Sequence, residues 1–206
     1  MNVFVEKKLD FSRDFSQLVK FLFSTGGVMP DLSASQMLRS SELTKWLDAQ
    51  DLKSPENLLS NRQRCNDALF ETNCLSIFTA LTEMKFVASF SIRCQKAAYR
   101  FTLSWGSADE VSDDAAFSAA RHCLSTLDMN DHPYVAVIRR VADRTWVRIL
   151  ASVVPYSGGN AARLWKDADK LQYACRECEI THGWVEGNGT WVIDNGRIIR
   201  PQDRDF

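Results

Sequence analysis

Polar and apolar positions alternate most regularly over residues 98–105. In AYRFTLSW, Tyr99, Phe101, Leu103 and Trp105 share one face and Arg100, Thr102 and Ser104 the other, the pattern of a half-buried strand. The same period recurs in TWVRILASVV, where Val147, Ile149, Ala151 and Val153 alternate with Trp146, Arg148, Leu150 and Ser152. YVAVIRRV precedes it, and Asp143-Arg144 lies in the connection, so the two segments predict a tight antiparallel hairpin. TWVID, Asn195-Gly196 and RIIR predict a terminal hairpin with a type I′ turn. Asn2 to Lys7 is extended in character.

Helical spacing appears elsewhere. From Phe15, the apolar positions Phe15, Leu18, Val19, Leu22 and Phe23 share a face, with Ser12 or Asp14 as cap, until Gly26, Gly27 and Pro30 break the run. Helical turns are plausible over Ser35 to Gln50. Residues 72–90 carry Leu75, Phe78, Leu81 and Phe86 at mostly helical spacing. Ser112 or Asp113 opens a helix whose stripe is Ala116, Phe117, Ala120, Cys123, Leu124 and Leu127. Trp165 to Ile180 forms another, ended by His182-Gly183. This order predicts an α+β fold: an antiparallel sheet of about five strands with helices packed on one face, and the other face free to bind. Residues 1–206 read as a single domain, with 31–66 an insert or connecting segment and 187–206 the terminal hairpin.

Composition adds little that is specific. The chain has 206 residues, 45% hydrophobic and 25% charged, with a formal net charge of -1. That is ordinary globular composition, and any nucleic-acid site must come from local clustering of Arg and Lys. No run suggests a membrane span or a secretion signal. Six scattered cysteines fit reduced thiols in a cytoplasm.

Isolated signals have ordinary readings. Cys175-x-x-Cys178 with His182 shares a helix face, so a partial zinc site is conceivable, but no second pair is nearby and small thiols make good core residues. His122 and His132 have no visible partner and read as structural. Asp109, Glu110, Asp113 and Asp114 suit a helix start. Tyr99, Tyr134 and Tyr173 read as buried.

From residue 66 onward several stretches stand in a collinear order. They are ETNCLSIFTALTEMK, YRFTLSW, DDAAFSAARHCLSTLDMNDHPYVAVI, and LQYACRECEITHGW followed by GNGTWV. In this order the chain resembles the conjugative and mobilisation relaxases, the MobA-type class of the HUH single-strand endonucleases, best over residues 66–194. DFSQLVKFL resembles the family's tyrosine-bearing helix. The resemblance implies a tyrosine that attacks a DNA phosphodiester and a histidine-held divalent metal that polarises the phosphate.

At those positions this chain carries other residues. The first histidine position falls on Arg139, and the HUH triplet falls on Trp146-Val147-Arg148. The family's asparagine falls on Ser152, and the nucleophile falls near Phe21. Asp143 matches the family's aspartate. Arginine stays protonated with no free lone pair, tryptophan offers only an N–H, and phenylalanine has no oxygen. Neither a catalytic residue nor a metal ligand is therefore expected, and no cofactor, unless the protein is active with a divalent metal.

The replacements suggest another use. Arg139, Arg140, Arg144 and Arg148 gather positive charge around one hairpin, and arginine grips phosphate through a bidentate fork. Trp146 suits stacking on an unpaired base. With Ser152 these are the expected DNA-binding residues, set against a plain basic hairpin with Trp146 as core filler. The resulting reading is a catalytically degenerate relaxase, a pseudoenzyme that serves as a cytoplasmic DNA-binding or relaxosome accessory factor in plasmid transfer. Its partners would be single-stranded or hairpin DNA, such as an origin of transfer, and an active relaxase. At this length the helicase, primase or secretion-signal regions often joined to relaxases have no place, which favours the accessory role. Two alternatives stay open: an active nicking enzyme using unorthodox residues such as Tyr156 and Asp143, and a protein-interaction module on the relaxase scaffold.

Overall fold

The computed structural model describes residues 1–6, 8–11, 17, 18, 22, 62–65, 68–77 and 79–200. The elements are β1 (Asn2–Val5), β2 (Arg62–Cys65), β3 (Ala68–Thr72), α1 (Ala80–Ala88), β4 (Ala98–Trp105), α2 (Asp113–Thr126), β5 (Tyr134–Val141), β6 (Arg144–Ser152), α3 (Asp167–His182), β7 (Val192–Asp194) and β8 (Arg197–Ile199). Gln17, Leu18 and Leu22 are also helical. The expected helical turns of 35–50, and Phe21, lie outside the described residues.

The α+β architecture is as expected. One sheet of six strands runs β1-β4-β6-β5-β3-β2, and every neighbouring pair is antiparallel. β2 and β3, which lie in sequence with weak alternation, form one edge of this sheet. The segment from residue 72, expected to be helical, first forms a turn. The Asn73 amide ties that turn to the start of β5, donating to the His132 carbonyl at 2.9 Å and accepting from the Tyr134 amide at 2.8 Å. Leu75 consequently stands 83% exposed, and α1 begins only at Ala80.

Register assigns side chains to two faces. Leu103 lies opposite Val147 and Val147 opposite Ile138; Phe101, Ile149 and Ala136 form the next row. These residues, with Tyr99 and Ala151, make the back face, all of them nearly or wholly buried. The two long helices, α2 and α3, cover it. Arg121 of α2 reaches Glu71 on β3 at 2.6 and 2.7 Å, and the Tyr134 hydroxyl donates to the same carboxylate at 3.0 Å. Burial and the Glu71 charge push the Tyr134 hydroxyl's pKa up. Ser112 caps α2 by accepting from the Ala115 amide at 3.2 Å.

The described residues cover the opposite, front face unevenly. At one end Phe70, Val135, Val137 and Leu150 are buried, and α1 packs on β5 and β6. The other end carries Phe4, Arg144, Trp146 and Arg148. Phe4 and Arg144 are exposed, and Trp146 and Arg148 partly so.

A buried ionic clasp joins the chain's first residue to α3. The Met1 ammonium meets Glu179 at 2.5 Å, and Arg176 meets the same carboxylate at 2.6 Å, with all three groups almost fully enclosed. Arg176 also donates to the carbonyls of Met1 (2.9 Å), Gly187 (2.6 Å) and Trp191 (3.3 Å). Gly187 has to be glycine, because a Cβ there would lie 2.1 Å from the Met1 carbonyl oxygen. Buried charges need this saturation, since each unpaired ion would cost several kcal/mol, on the order of 3–5. The terminal hairpin docks beside the clasp. Arg200 of its outgoing end stacks on Trp191 and pairs with Asp169 at 2.9 Å. Asn195 and Gly196 adopt positive φ of 47° and 76°, as a type I′ turn demands.

Candidate nucleic-acid interface

β5 and β6 are joined by only Ala142 and Asp143, so their ladder is continuous to the hairpin tip. Arg139 lies opposite Trp146, and Arg148 lies opposite Val137 on one side and Thr102 on the other. Alternation therefore puts Arg139, Trp146, Arg148 and Arg144 on the front face together. Arg139 and Arg148 are diagonal neighbours in the ladder, roughly 7–8 Å apart at their backbones.

Each of these arginines has a distinct setting. Arg139 donates to the Leu22 carbonyl at 3.3 Å and so ties β5 to the backbone at Leu22. Arg148 is half-buried, which lowers its pKa, and the negative charge of Glu6 opposes that fall. Glu6 also pairs with Arg100 at 3.0 Å on this face. Arg144 projects from the hairpin end and is exposed.

Two residues grouped with them in the sequence belong elsewhere. Arg140 follows Arg139 in the strand and so points to the back face, where it pairs with Asp113 at 2.6 Å and donates to the Val111 carbonyl at 3.0 Å. Its guanidinium holds the start of α2. Ser152 is fully buried, and its hydroxyl accepts from the Val154 amide at 3.1 Å. It shapes the strand end and has no surface to offer DNA.

Sequence reasoning missed Phe4. Its ring lies 6.5 Å from that of Trp146, with planes inclined by 26°, and it is 52% exposed. Thr102 and Ser104 lie beneath, buried at 7% and 8% exposure. The available signal was its place between Asn2 and Glu6, on the polar side of a short strand. That β1 would pair with β4 was not readable from either segment.

Residues 57–184 match the family model of the relaxase MobA/VirD2-like nuclease domain. The chain belongs to this relaxase family. No curated protein and no solved structure gave a significant match. The relaxase motif stretch CRECEITHGW supplies the clasp residues Arg176 and Glu179. It also supplies Trp184, whose ring meets Trp105 edge-on at 5.4 Å and stacks on His182 at 4.4 Å. This part of the relaxase pattern thus holds the scaffold together.

Arg139, Trp146 and Arg148 of the front face do not fit a divalent ion. They offer two guanidiniums and an indole, which lack a donor lone pair for a cation. His122 pairs with Glu177 at 2.8 Å on the helical side, His182 stacks on Trp184, and His132 is buried at the start of β5. Among the described residues no group of His, Cys, Asp and Glu could hold a metal ion. That holds for the CxxC pair too. Cys175 and Cys178 are buried with Cys123 between α2 and α3, and burial pushes the Cys178 thiol up to about 12.

The unorthodox enzyme site is also dispersed. The Tyr156 hydroxyl donates to the Asn73 carbonyl at 3.4 Å, beside the start of β5. Asp143 sits at the far end of that strand. The eight residues of β5 span roughly 27 Å. Burial also pushes the Tyr156 pKa up, away from a phenolate nucleophile. Among the described residues, no helix is long and apolar enough to cross a membrane.

Proposed function

We propose that this relaxase-family protein is catalytically degenerate and holds single-stranded or hairpin DNA during conjugative transfer without cutting it. One observation supports the reading: Arg139, Trp146 and Arg148, which the sequence resemblance aligns with the family's metal-binding positions, stand side by side on one sheet face. A divalent ion in such a site neutralises phosphate charge, and guanidinium groups do the same through paired N–H donors, with no ion required. What they cannot supply is a nucleophile. The protein then serves as a cytoplasmic accessory to an active relaxase at an origin of transfer.

A second reading, a protein-interaction module, draws on a separate patch. α1 and the turn after it expose Phe86, Phe90 and Ile92 at 63%, 53% and 94%. Exposed apolar side chains of this kind suit a partner protein.

A paired gel assay tests the proposal. Purified protein meets single-stranded and hairpin oligonucleotides from its own element's transfer region, with and without manganese. The expected result is a shifted, uncut band that weakens with salt. A metal-dependent cut that leaves protein on the 5′ end would overturn degeneracy. Neither binding nor cutting would leave the interaction module.

A further inference from the structure

α1 turns Ala80, Leu81, Met84 and Val87 inward, and its outer side is apolar as well. Phe86 and Phe90 stand largely in water, their rings edge-on with centroids 4.9 Å apart. Past the helix the chain continues in tight turns. The Phe90 amide donates to the Val87 carbonyl at 3.1 Å, and the Cys94 amide to the Ser91 carbonyl at 3.0 Å. Ile92 and Arg93 are the two central residues of that last turn. Turn centres ordinarily carry Gly, Pro, Asn, Asp or Ser. Here a β-branched apolar side chain occupies one and is 94% exposed. Folding gains nothing from an apolar group held clear of the protein.

The cations around this tip are uncommitted. Lys85, Arg93 and Lys96 are exposed, and among the described residues no carboxylate pairs with any of them. Glu83 is the one carboxylate between residues 80 and 97. It is already engaged, accepting from the Leu75 amide at 3.2 Å and from the Thr79 hydroxyl at the start of α1.

Going beyond the DNA-holding reading, we propose that Phe86, Phe90 and Ile92 form a docking tip for an anionic lipid surface, with Lys85, Arg93 and Lys96 set against the headgroups. Shape and charge favour this occupant over a partner protein at the same patch. A stable protein contact buries about 1,000 Å² or more in a matched surface. Ile92 instead projects from a turn and lines no groove. A bilayer interface is fluid and needs no matched shape. It takes apolar side chains at the acyl boundary and holds cations at the level of the headgroups. Anionic lipid attracts each Lys or Arg near the surface, and no carboxylate of this tip is left to oppose it. Docking of this kind needs no spanning helix.

The test is co-sedimentation of the purified protein with vesicles of phosphatidylcholine alone and of phosphatidylcholine mixed with phosphatidylglycerol. The mixed vesicles should carry the protein down and the neutral ones far less, and rising salt should weaken the binding. Ile92→Ser should weaken it about tenfold, and Arg93→Gln about fivefold. Arg197→Gln, which removes the same charge from the terminal hairpin, should leave it unchanged. Ile92→Trp should still bind, and its fluorescence should shift to the blue on the mixed vesicles, which reports the tip itself. A thermal melt confirms that each variant folds. If Ile92→Ser fails to fold, the unaltered protein on the two vesicle types still decides. No sedimentation with mixed vesicles would overturn the proposal, and so would binding that Ile92→Ser and Arg93→Gln leave intact. Equal sedimentation with both vesicle types would overturn the anionic assignment. Self-association without vesicles, abolished by Ile92→Ser, together with no vesicle binding would give the patch to a second copy and overturn the lipid surface. Oligonucleotide binding is read on the same samples, so that failure of either reading leaves the other standing.

Discussion

Arg139 and Arg140 are neighbours in the chain and chemically identical, yet only one belongs to the front face. Successive strand residues point to opposite sides, so Arg140 braces α2 through Asp113 while Arg139 and Arg148 look the other way. This separates two effects that total charge would merge. Arg148→Ala should weaken single-strand binding and lower the slope of log affinity against log salt by about 1, the signature of one lost phosphate contact. Arg140→Ala, which removes the same charge from the back face, should leave the slope unchanged. Titrations at several salt concentrations check both. Glu179 is the residue on which stability most depends. Glu179→Gln would leave the Met1 ammonium and Arg176 buried without their anion, at a cost of about 3–5 kcal/mol. A large fall in the urea midpoint at unchanged m value would show it, and a shift under 1 kcal/mol would refute it.

At the scale of elements, the β5–β6 hairpin carries the site and also a local strain. Ala142 in its two-residue connection has a φ of 53°, a conformation that costs a side chain bearing Cβ about 1–2 kcal/mol. Ala142→Gly should relieve it, raising stability by about 0.5–1 kcal/mol after glycine's own entropy cost. The melting temperature should rise without any change in DNA binding, since residue 142 lies beyond the arginines. The hairpin was legible in the sequence because two long alternating runs flank a very short connection. β3 was not, because ALFET packs on both sides and shows little alternation: Ala68, Phe70, Glu71 and Thr72 are all buried. Short strands enclosed on both faces lose the period that identifies them.

For the whole molecule, folding couples to pH through a buried histidine far from the site. Burial lowers the His132 pKa below its ordinary value of 6.5. The unfolded chain takes up a proton as pH falls through about 6.5, and the folded protein resists doing so. Stability is therefore complete above about 6.5 and falls as pH drops toward the depressed folded value. The melting temperature should fall between pH 7.5 and 5.5, and His132→Asn should flatten that fall. An unchanged profile in the variant would assign the acid sensitivity to other groups. DNA binding should respond less across this range, because the gripping groups are guanidiniums that stay protonated throughout.

The sequence by itself determined the strands of the central hairpin, the terminal type I′ turn, α2 and α3, and the family. These rest on local chemistry: side-chain period, caps, turn residues and collinear motifs. It also placed Arg139, Trp146 and Arg148 on one hairpin. Tertiary structure decided what stands beside them. It placed Phe4 against Trp146 by pairing β1 with β4, residues nearly a hundred positions apart in sequence. It removed Ser152 from the surface, separated Tyr156 from Asp143, and brought the Met1 ammonium onto Glu179. None of these carries a local pattern, because each depends on which distant strand edge or helix face a residue meets once the sheet has formed.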